Sequence, residues 1–422
     1  MEKLSINNFA GLRSVELEIR PVTGLIGPEA SGKSVIAKLL YFFRLIASRL
    51  RTAIVHGQDG PQYRAECCKR FSRYFPIENA SIADFEITYL NKEEWIRVTF
   101  DTQIVAGKPS FGMEWSTYYD TAFEKFSRRK KELPAASDDP SEFATGILAL
   151  GDEIERDMEN TLGTWAVFDQ IFIPAGRAFF SQVQSTVFTQ FAEGDSPEPF
   201  MAEFGALLER SKSLLESSGF FENGEFDDLR STFEKILRAQ LRNIDKQDYL
   251  EFADGRQVKL AQASSGQQEA LPLLLLLAQF VSFGHARGRA LYIEEPEAHL
   301  FPSTQKLIVE FMARVFRRRS NKMRLVVTTH SPYILTSINN LLQAGKLYAE
   351  GSGKEVQRLA KIIPRTSTFS PREVGFYALQ NGTARSILDP QTELIDADMI
   401  DQVSNDIAIQ FDKLLSEGNE KS

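Results

Sequence analysis

The octapeptide Gly27-Pro28-Glu29-Ala30-Ser31-Gly32-Lys33-Ser34 follows the apolar segment 22–26 and precedes the apolar segment 35–50. Its spacing is that of the G-x-x-x-x-G-K-S phosphate loop, in which glycines let successive backbone N–H groups point at one phosphate. In this pattern Lys33 reaches the terminal phosphates and the hydroxyl of Ser34 ligates magnesium. The sequence therefore predicts a strand, a phosphate loop and a helix that together bind a nucleoside triphosphate and Mg²⁺.

The composition is that of an ordinary globular protein, because 43% of the 422 residues are hydrophobic and 25% are charged. The longest apolar run, 271–283, is too short to span a bilayer, and the segment 1–5 lacks a basic and apolar leader. The adjacent Cys67 and Cys68 form neither a disulfide framework nor a zinc site. We therefore expect a cytoplasmic protein with no membrane partner. The net charge of −8 does not favour nucleic acid, although a local basic face leaves contact with DNA or RNA open.

Turn signals and hydrophobic periodicity divide the chain into strands and helices. Hairpins are predicted at four turns, which are Gly11, Asn91-Lys92, Asp254-Gly255 and Asn381-Gly382. The segments 122–162 and 188–242 have helical character, and 134–140 has the composition of an exposed linker. Strands and helices alternate after residue 260, which is typical of an open parallel sheet. A final amphipathic helix is predicted from the apolar stripe of Ile400, Val403, Ile407, Phe411 and Leu414.

A second candidate phosphate contact is the segment Ser264-Ser265-Gly266-Gln267-Gln268, which precedes the apolar helix 271–280. It places small residues with free N–H groups at a helix N-terminus, where the aligned backbone dipoles bind anions. Considered alone, an ordinary serine N-cap explains this segment better.

Two further motifs favour the nucleotide interpretation. The apolar strand 290–293 ends in Glu294 and Glu295, where one carboxylate can hold magnesium and the next can deprotonate an attacking water. The buried strand 324–329 ends in His330, at the sheet edge where ligands bind in parallel sheets. The alternatives are an ordinary strand end for the acidic residues and a structural role for the histidine.

In this order the four motifs match Walker A, signature, Walker B and switch histidine, and the chain resembles the ABC-type ATPases of the SMC, RecF and OLD clade. The likeness is specific to the bacterial branch whose Walker B continues as Glu-Glu-Pro-Glu-Ala-His-Leu, here 294–300, and whose switch segment matches 328–333. It covers 1–43 and 250–422 best. The segment Ile173-Pro174-Ala175-Gly176-Arg177 also resembles a recurring element of that branch, without an assigned role.

The resemblance implies an α/β fold, an ABC-type P-loop ATPase head with a mixed sheet, an antiparallel β subdomain and a helical insertion. We expect the N-terminal part of the head at 1–50, its β-rich subdomain at 51–118, the helical insertion at 119–245 and the C-terminal part at 246–422. Two heads are expected to dimerise around ATP, each nucleotide held between Walker A of one subunit and the signature of the other. The glutamine that this family places after Walker A has only Gln58 and Gln62 as candidates.

Site roles follow from the same resemblance. The nucleotide is expected to contact Gly27, Pro28, Glu29, Ala30, Ser31, Gly32, Lys33 and Ser34, and in trans Ser264, Ser265, Gly266 and Gln267. Ser34 and Glu294 are expected to ligate Mg²⁺, with Glu294 in place of the more usual aspartate. Glu295 is the expected general base, and His330 senses the γ-phosphate. Glu297 and His299 fall in the loop that crosses the dimer interface.

Three biological roles compete. The segment between Walker A and signature is longer than a transporter ATPase usually requires. A DNA repair head would be expected to carry a coiled-coil arm or a basic surface; this chain shows no sustained heptads, although basic runs occur at 128–131 and 317–324. We favour the third role, a slow regulatory ATPase that serves as sensor, switch or scaffold for a separate nuclease or toxin in antiphage defence. About ninety residues follow His330, too few for a Toprim nuclease domain, and Asp396, Asp398 and Asp401 fit a solvated helix face better than a metal site.

Overall fold

The computed structural model describes residues 1–76, 84–105, 108–134, 140–182, 198–217, 220, 224–245, 247–282, 288–318, 322–396 and 409–414. The strands are β1 (Glu2–Phe9), β2 (Leu12–Glu18), β3 (Val22–Ile26), β4 (Phe85–Asn91), β5 (Glu94–Val105), β6 (Lys108–Trp115), β7 (Asp169–Ile173), β8 (Gln240–Ile244), β9 (Gln247–Glu251), β10 (Gln257–Lys259), β11 (Arg289–Glu294), β12 (Met323–Thr329), β13 (Val374–Gln380) and β14 (Thr383–Ser386). The helices are α1 (Lys33–Val55), α2 (Gly60–Tyr74), α3 (Thr117–Lys131), α4 (Pro140–Leu162), α5 (Ala178–Gln182), α6 (Pro199–Ser217), α7 (Asp227–Leu237), α8 (Ser265–Ser282), α9 (Pro302–Arg318), α10 (Pro332–Glu350) and α11 (Lys354–Ile362).

A mixed sheet of eleven strands carries the fold, in the order β6-β5-β4-β1-β2-β14-β13-β3-β12-β11-β7. Its last five strands, β13, β3, β12, β11 and β7, are mutually parallel. Strands β3 and β11 are buried along their whole length, as expected of continuous apolar strands covered on both faces. The carboxyl ends of these parallel strands therefore meet at one edge, which is where the predicted site residues lie.

The other strand pairs are antiparallel except for β14 with β2, which is parallel, and all four predicted hairpins are confirmed. Strand β1 pairs with β2 and β4, β4 with β5, β13 with β14, and β9 with β10 in a separate three-stranded sheet. The turn between β13 and β14 has positive φ at both Asn381 and Gly382, 53° and 75°, which is the geometry that Asn-Gly favours. The predicted α/β class, with a mixed sheet and an antiparallel part, is thus present.

Alternate residues of a strand point to opposite faces of the sheet, so each central strand presents apolar side chains on both faces. Helices cover both of these faces. On one face, Tyr292 of β11 and Leu25 of β3 join a core with α1 and the antiparallel strands. On the other face, Ile293 and Val22 of the same strands join a core with α8, α9 and α10. The phosphate-loop helix and the helix after the signature segment therefore pack on opposite sides of one sheet. No helix among the described residues is long and apolar enough to cross a membrane.

The sequence misassigned one part of the middle segment and left another unassigned. The end of the predicted helical block 188–242 is the strand β8, because α7 stops at Arg238 in the left-handed conformation and the chain turns to pair with β9. Between the predicted helical segments, β7 enters the large sheet beside β11. The division into domains stays a prediction. The predictions for 135–139, 188–197 and the residues Asp398, Ile400, Asp401, Val403 and Ile407 lie outside the described residues.

Candidate functional site

The phosphate loop 27–34 connects the end of β3 to the start of α1. Gly32 is the N-cap of α1 with a φ of 94°, and no side chain caps the helix, so its first N–H groups remain for a ligand. A Cβ at Gly32 would lie 2.5 Å from Leu12 Cδ2, and one at Gly27 would lie 2.5 Å from the carbonyl oxygen of Leu379. Both glycines are therefore required by close packing, and Gly32 also by its left-handed backbone.

Lys33 is buried across this loop. Its Nζ donates to the carbonyl oxygens of Gly27 and Pro28, at 2.7 Å each. Burial lowers the pKa of Lys33, and the nearby carboxylate of Glu295 opposes that shift most strongly. The ammonium group thus lies within the loop and near the charge of Glu295, which forms the acidic pair with Glu294, and a phosphate of a nucleotide in the loop would meet it there.

The acidic pair lies where β11 ends. The Glu294 carboxylate is buried and its Oε2 accepts a hydrogen bond from Ala175 N at 3.3 Å. Glu295 has a φ of 41°, and its N–H donates to the carbonyl of Thr328 in β12 at 3.0 Å. A left-handed backbone is strained for a residue with a side chain, and such strain persists where the surroundings fix it, often at functional sites.

The donor atoms at this edge fit a divalent cation. Within the described part of the chain, four buried oxygens at this edge have no hydrogen-bond partner: Glu294 Oε1, Glu297 Oε2, Thr328 Oγ1 and Ser31 Oγ. A buried carboxylate oxygen without a donor is costly, and Mg²⁺ prefers carboxylate and other oxygen ligands. Ser34 lies in the first turn of α1 with an exposed side chain. Glu294 and Ser34 are therefore the residues of this edge that could hold Mg²⁺.

The histidine that follows β12 lies beside the acidic pair. His330 Nδ1 is 3.5 Å from Glu295 Oε1, and both side chains are about a third exposed, 39% and 33%. The buried carboxylate of Glu297 fixes the segment, because its Oε1 accepts from Thr329 Oγ1 at 2.5 Å and from His330 N at 3.0 Å. Residues from β11, β12 and the intervening loop thus converge where the sequence analysis expected them.

The signature segment, 264–268, has features of both an ordinary helix N-cap and an accessible phosphate contact. Ser264 N and Oγ donate to Gln267 Oε1, at 3.2 and 3.0 Å, and Gln267 Nε2 donates to the carbonyl of Leu237 at 2.7 Å. Ser264 and Gln267 are therefore occupied in local capping contacts. Ser265 begins α8 with an exposed side chain, which leaves it accessible to a ligand or a second chain.

The loop after the acidic pair packs directly on this segment. A Cβ at Gly266 would lie 2.7 Å from the carbonyl oxygen of His299, so only glycine allows the approach. His299 itself is exposed and has a φ of 58°. The signature segment and the loop 295–300 are therefore neighbours within one chain.

The structure removes both glutamine candidates from the site. Gln58 Nε2 donates to Glu66 Oε2 at 2.8 Å, and Gln62 belongs to the capping box of α2 with Asp59. Both follow the far end of the 23-residue α1, about 35 Å along its axis from the phosphate loop. Neither can contact a nucleotide bound there.

Three residues with contacts at the site, Arg177, Glu269 and Glu297, were assigned no role, or only a position, from the sequence. Arg177, which follows β7, is fully buried beneath the acidic pair, and it contacts Glu269 of α8. Glu297 was expected at an interface but is buried and bonds to the histidine segment. The available sequence signal was a charged residue within four positions of the end of an apolar segment, Arg177 after β7 and Glu297 after β11.

The fold and the site together define a nucleotide-binding P-loop domain. A family model matches residues 22–336, and its description is "AAA domain, putative AbiEii toxin, Type IV TA system". The match spans most of the chain, so the protein belongs to this family, AAA_21. The matched residues include the phosphate loop, the acidic pair and His330. A comparison with curated proteins gives no match.

Three solved structures align with this chain at low sequence identity. The SMC head domain from Thermotoga maritima aligns with 12% identity and a TM-score of 0.36, over 91% of this chain and 97% of that one. The recombination mediator protein RecF aligns with 12% identity and a TM-score of 0.34, over 91% and 97%. A dimeric bacterial ABC transporter cassette aligns with 11% identity and a TM-score of 0.31, over 92% and 98%. The fold class follows from the sheet topology.

Proposed function

We propose that the protein hydrolyses Mg·ATP and uses the nucleotide state as a switch for a separate effector in antiphage defence. The observation that carries the ATPase part is the convergence of three elements at one sheet edge. They are the phosphate loop, the acidic pair and the segment with His330 that Glu297 fixes. A general base, a metal ligand and a cation for phosphate are the groups that phosphoryl transfer to water requires.

Each of these residues has a distinct task in the proposal. Lys33 exchanges its two loop carbonyls for phosphate oxygens and neutralises their charge. Glu294 and Ser34 hold Mg²⁺, which supplies charge neutralisation and orientation of the phosphate oxygens when bound. Glu295 orients a water molecule and takes its proton, and His330, 3.5 Å from Glu295, reports the presence of the terminal phosphate.

Dimerisation around the nucleotide is supported by the exposed surface beside the site. Phe301, just after the loop 295–300, is 71% exposed, and Tyr333, in the first turn of α10, is 51% exposed. Large exposed apolar side chains next to functional motifs are typical of interaction surfaces. Ser265 at the N-terminus of α8 is also exposed. A second copy of the chain would cover these groups and offer Ser265 and Gly266 to the nucleotide of its partner.

The defence context is supported by the family description, which names a toxin and a type IV toxin–antitoxin system. The alternative, a DNA repair ATPase, draws no support from the basic run that begins at Arg317. Arg317 makes two bonds to Glu373, at 3.0 and 2.7 Å, and Arg318 bonds to Asp228 at 2.7 Å. These guanidinium groups hold elements of the head together, so they are poorly placed to follow a phosphate backbone.

The test is a pull-down of tagged Glu295→Gln protein from its native host in Mg·ATP, followed by mass spectrometry. Lys33→Ala is the matched control, since it should not retain nucleotide. Recovery of a nuclease or toxin with Glu295→Gln, and its loss with Lys33→Ala, supports the proposal. Recovery of recombination proteins and chromosomal DNA points to repair instead. Phage plating completes the test, because unchanged protection by both variants would exclude an ATP-dependent defence role.

A further inference from the structure

Arg177 holds the backbone of the acidic pair from below. Its Nη1 donates to the carbonyl oxygen of Glu294 at 2.7 Å and to that of Pro174 at 2.9 Å. Its Nη2 donates to the carbonyl oxygen of Glu295 at 3.0 Å. Glu295 is the residue with the left-handed backbone, so Arg177 and the carbonyl of Thr328 restrain its strained peptide from both sides.

The same residue is fastened to the first turns of the signature helix, α8. Arg177 Nε donates to the carbonyl oxygen of Glu269 at 3.1 Å. In return, the Glu269 carboxylate accepts from Arg177 N and from Ala178 N, at 3.0 Å each. Ser181 Oγ adds a bond to the carbonyl of Gln268 at 3.1 Å. The loop after β7 therefore bridges the acidic pair and the helix that begins at Ser265.

Burying the charges of Arg177 and Glu269 costs desolvation free energy, so stability alone does not explain this bridge. Arg177 and Glu269 are both almost fully buried, and a buried ion pair often stabilises a fold no better than apolar side chains of similar volume. Only a planar guanidinium can donate in several fixed directions at once, because the lysine ammonium is a compact group on a flexible stem. We therefore expect that the guanidinium group of Arg177 fixes the position of the backbone, in addition to any contribution to stability.

We propose that Arg177 is a positioning residue that makes the acidic pair and the N-terminal turns of α8 move as one unit. The inference rests on the proposed ATPase function. In the head dimer, the acidic pair serves the nucleotide of its own subunit, and Ser265 serves that of the partner. Arg177 therefore connects the two nucleotide sites through one chain and sets the placement of Glu295 for hydrolysis.

The first experiment compares Arg177→Lys with Arg44→Lys, which is an equally conservative change at another fully buried arginine. Steady-state ATP hydrolysis is measured for both variants and the parent. For Arg177→Lys we expect kcat to fall by at least about tenfold with KM within about threefold, since a positioning group acts on the transition state. Arg44→Lys should keep both constants within about twofold while it lowers the denaturation midpoint. Equal kcat in parent and Arg177→Lys would overturn the positioning role.

The second experiment measures hydrogen exchange without nucleotide, and so does not depend on ATP hydrolysis. Amides of 266–272 and 294–300 should exchange at least about tenfold faster in Arg177→Lys, in both segments together, and in neither segment of Arg44→Lys. Faster exchange in only one segment, or in neither, would overturn the bridge. If Arg177→Lys does not fold, Glu269→Gln replaces it, because it keeps the backbone carbonyl and removes one acceptor. A parent protein that binds no ATP would refute the proposed function, while exchange would still decide the bridge.

Discussion

Arg44 and Arg177 are both fully buried, yet they are held in opposite ways. Arg44 of α1 forms a bidentate pair with Glu2, at 2.7 and 2.9 Å, and its other contacts are side chains such as Tyr292. Burial alone would lower the pKa of Arg44, but Glu2 raises it well above its usual value. Burial lowers the pKa of Arg177, and Glu269, 3.5 Å from its Nε, opposes this only in part.

We infer that the region around Arg44 serves mainly stability and that the region around Arg177 serves mainly function. The Arg44 region, made of Arg44, Glu2, Tyr89 and Tyr292, ties side chains of β1, β4, β11 and α1 together inside the core. The Arg177 region, made of Arg177, Glu269, Glu294 and Glu295, ties the backbones of motif loops together. Damage to the first should therefore unfold the protein, whereas damage at the nucleotide edge should remove activity from a folded chain.

The largest effect on stability is expected from Glu2→Ala. It leaves the Arg44 charge buried without its carboxylate, which costs about 3–5 kcal/mol of unfolding free energy. ATP affinity of the remaining folded protein should not change. Urea denaturation measures the loss, and Glu16→Ala, at an exposed position of β2, is the control expected within about 0.5 kcal/mol of the parent. A loss below about 1 kcal/mol for Glu2→Ala would contradict the stabilising role of this region.

The next effect is on binding, from Lys33→Ala. Removing the cation of the phosphate loop should weaken Mg·ATP binding at least about 100-fold, or about 2.7 kcal/mol, without loss of folding. A fluorescent-nucleotide titration measures the dissociation constant. Lys38→Ala serves as control because Lys38 lies on the same helix and pairs with Glu198 instead. Equal affinity of Lys33→Ala and the parent would show that the loop does not bind phosphate.

A smaller, pH-dependent effect is expected from Tyr89→Phe. Tyr89 OH donates to Glu2 Oε1 at 2.6 Å, so its loss should cost about 1–3 kcal/mol at pH 7. Burial raises the pKa of Tyr89 well above its ordinary value of about 10. A group with a raised folded-state pKa contributes fully below its unfolded pKa, and its contribution declines as the pH rises above that value.

Denaturation of the parent and Tyr89→Phe between pH 7 and pH 11 therefore tests whether the stabilising contribution of Tyr89 falls as the pH rises. The stability difference should be constant up to about pH 10 and shrink above it, because only the parent loses the phenol contribution. A difference that grows above pH 10 would show that the Tyr89 phenol does not stabilise this region as a proton donor.

The sequence predicted that the phosphate loop, the acidic pair and His330 meet at one sheet edge, and it could do so because their determinants are local. The phosphate loop is contiguous, and Glu294 and His330 each follow an apolar strand, so parallel pairing alone brings them to one edge. The Arg177 region could not be predicted in this way. Its members are separated by 92 to 118 residues, and the bonds run to backbone carbonyls that carry no sequence identity.

The strand β7 shows the same limit. Its five residues lie between long helical segments, and nothing local distinguishes them from a helix end or a loop. Only pairing with β11 makes them a strand, which is a tertiary effect. The glutamine candidates failed for a related reason, since proximity to the phosphate loop in sequence was undone by the length of α1.

Single-turnover ATP hydrolysis by Glu295→Gln shows whether Glu295 is the general base. The amide keeps the size of Glu295 and cannot take a proton, so we expect the rate to fall by about 10²–10⁴ while ATP is retained. Size-exclusion chromatography in Mg·ATP should then show a trapped dimer, which Lys33→Ala does not form. Hydrolysis by Glu295→Gln at the parental rate would remove Glu295 from the mechanism and contradict the account of this edge as a catalytic site.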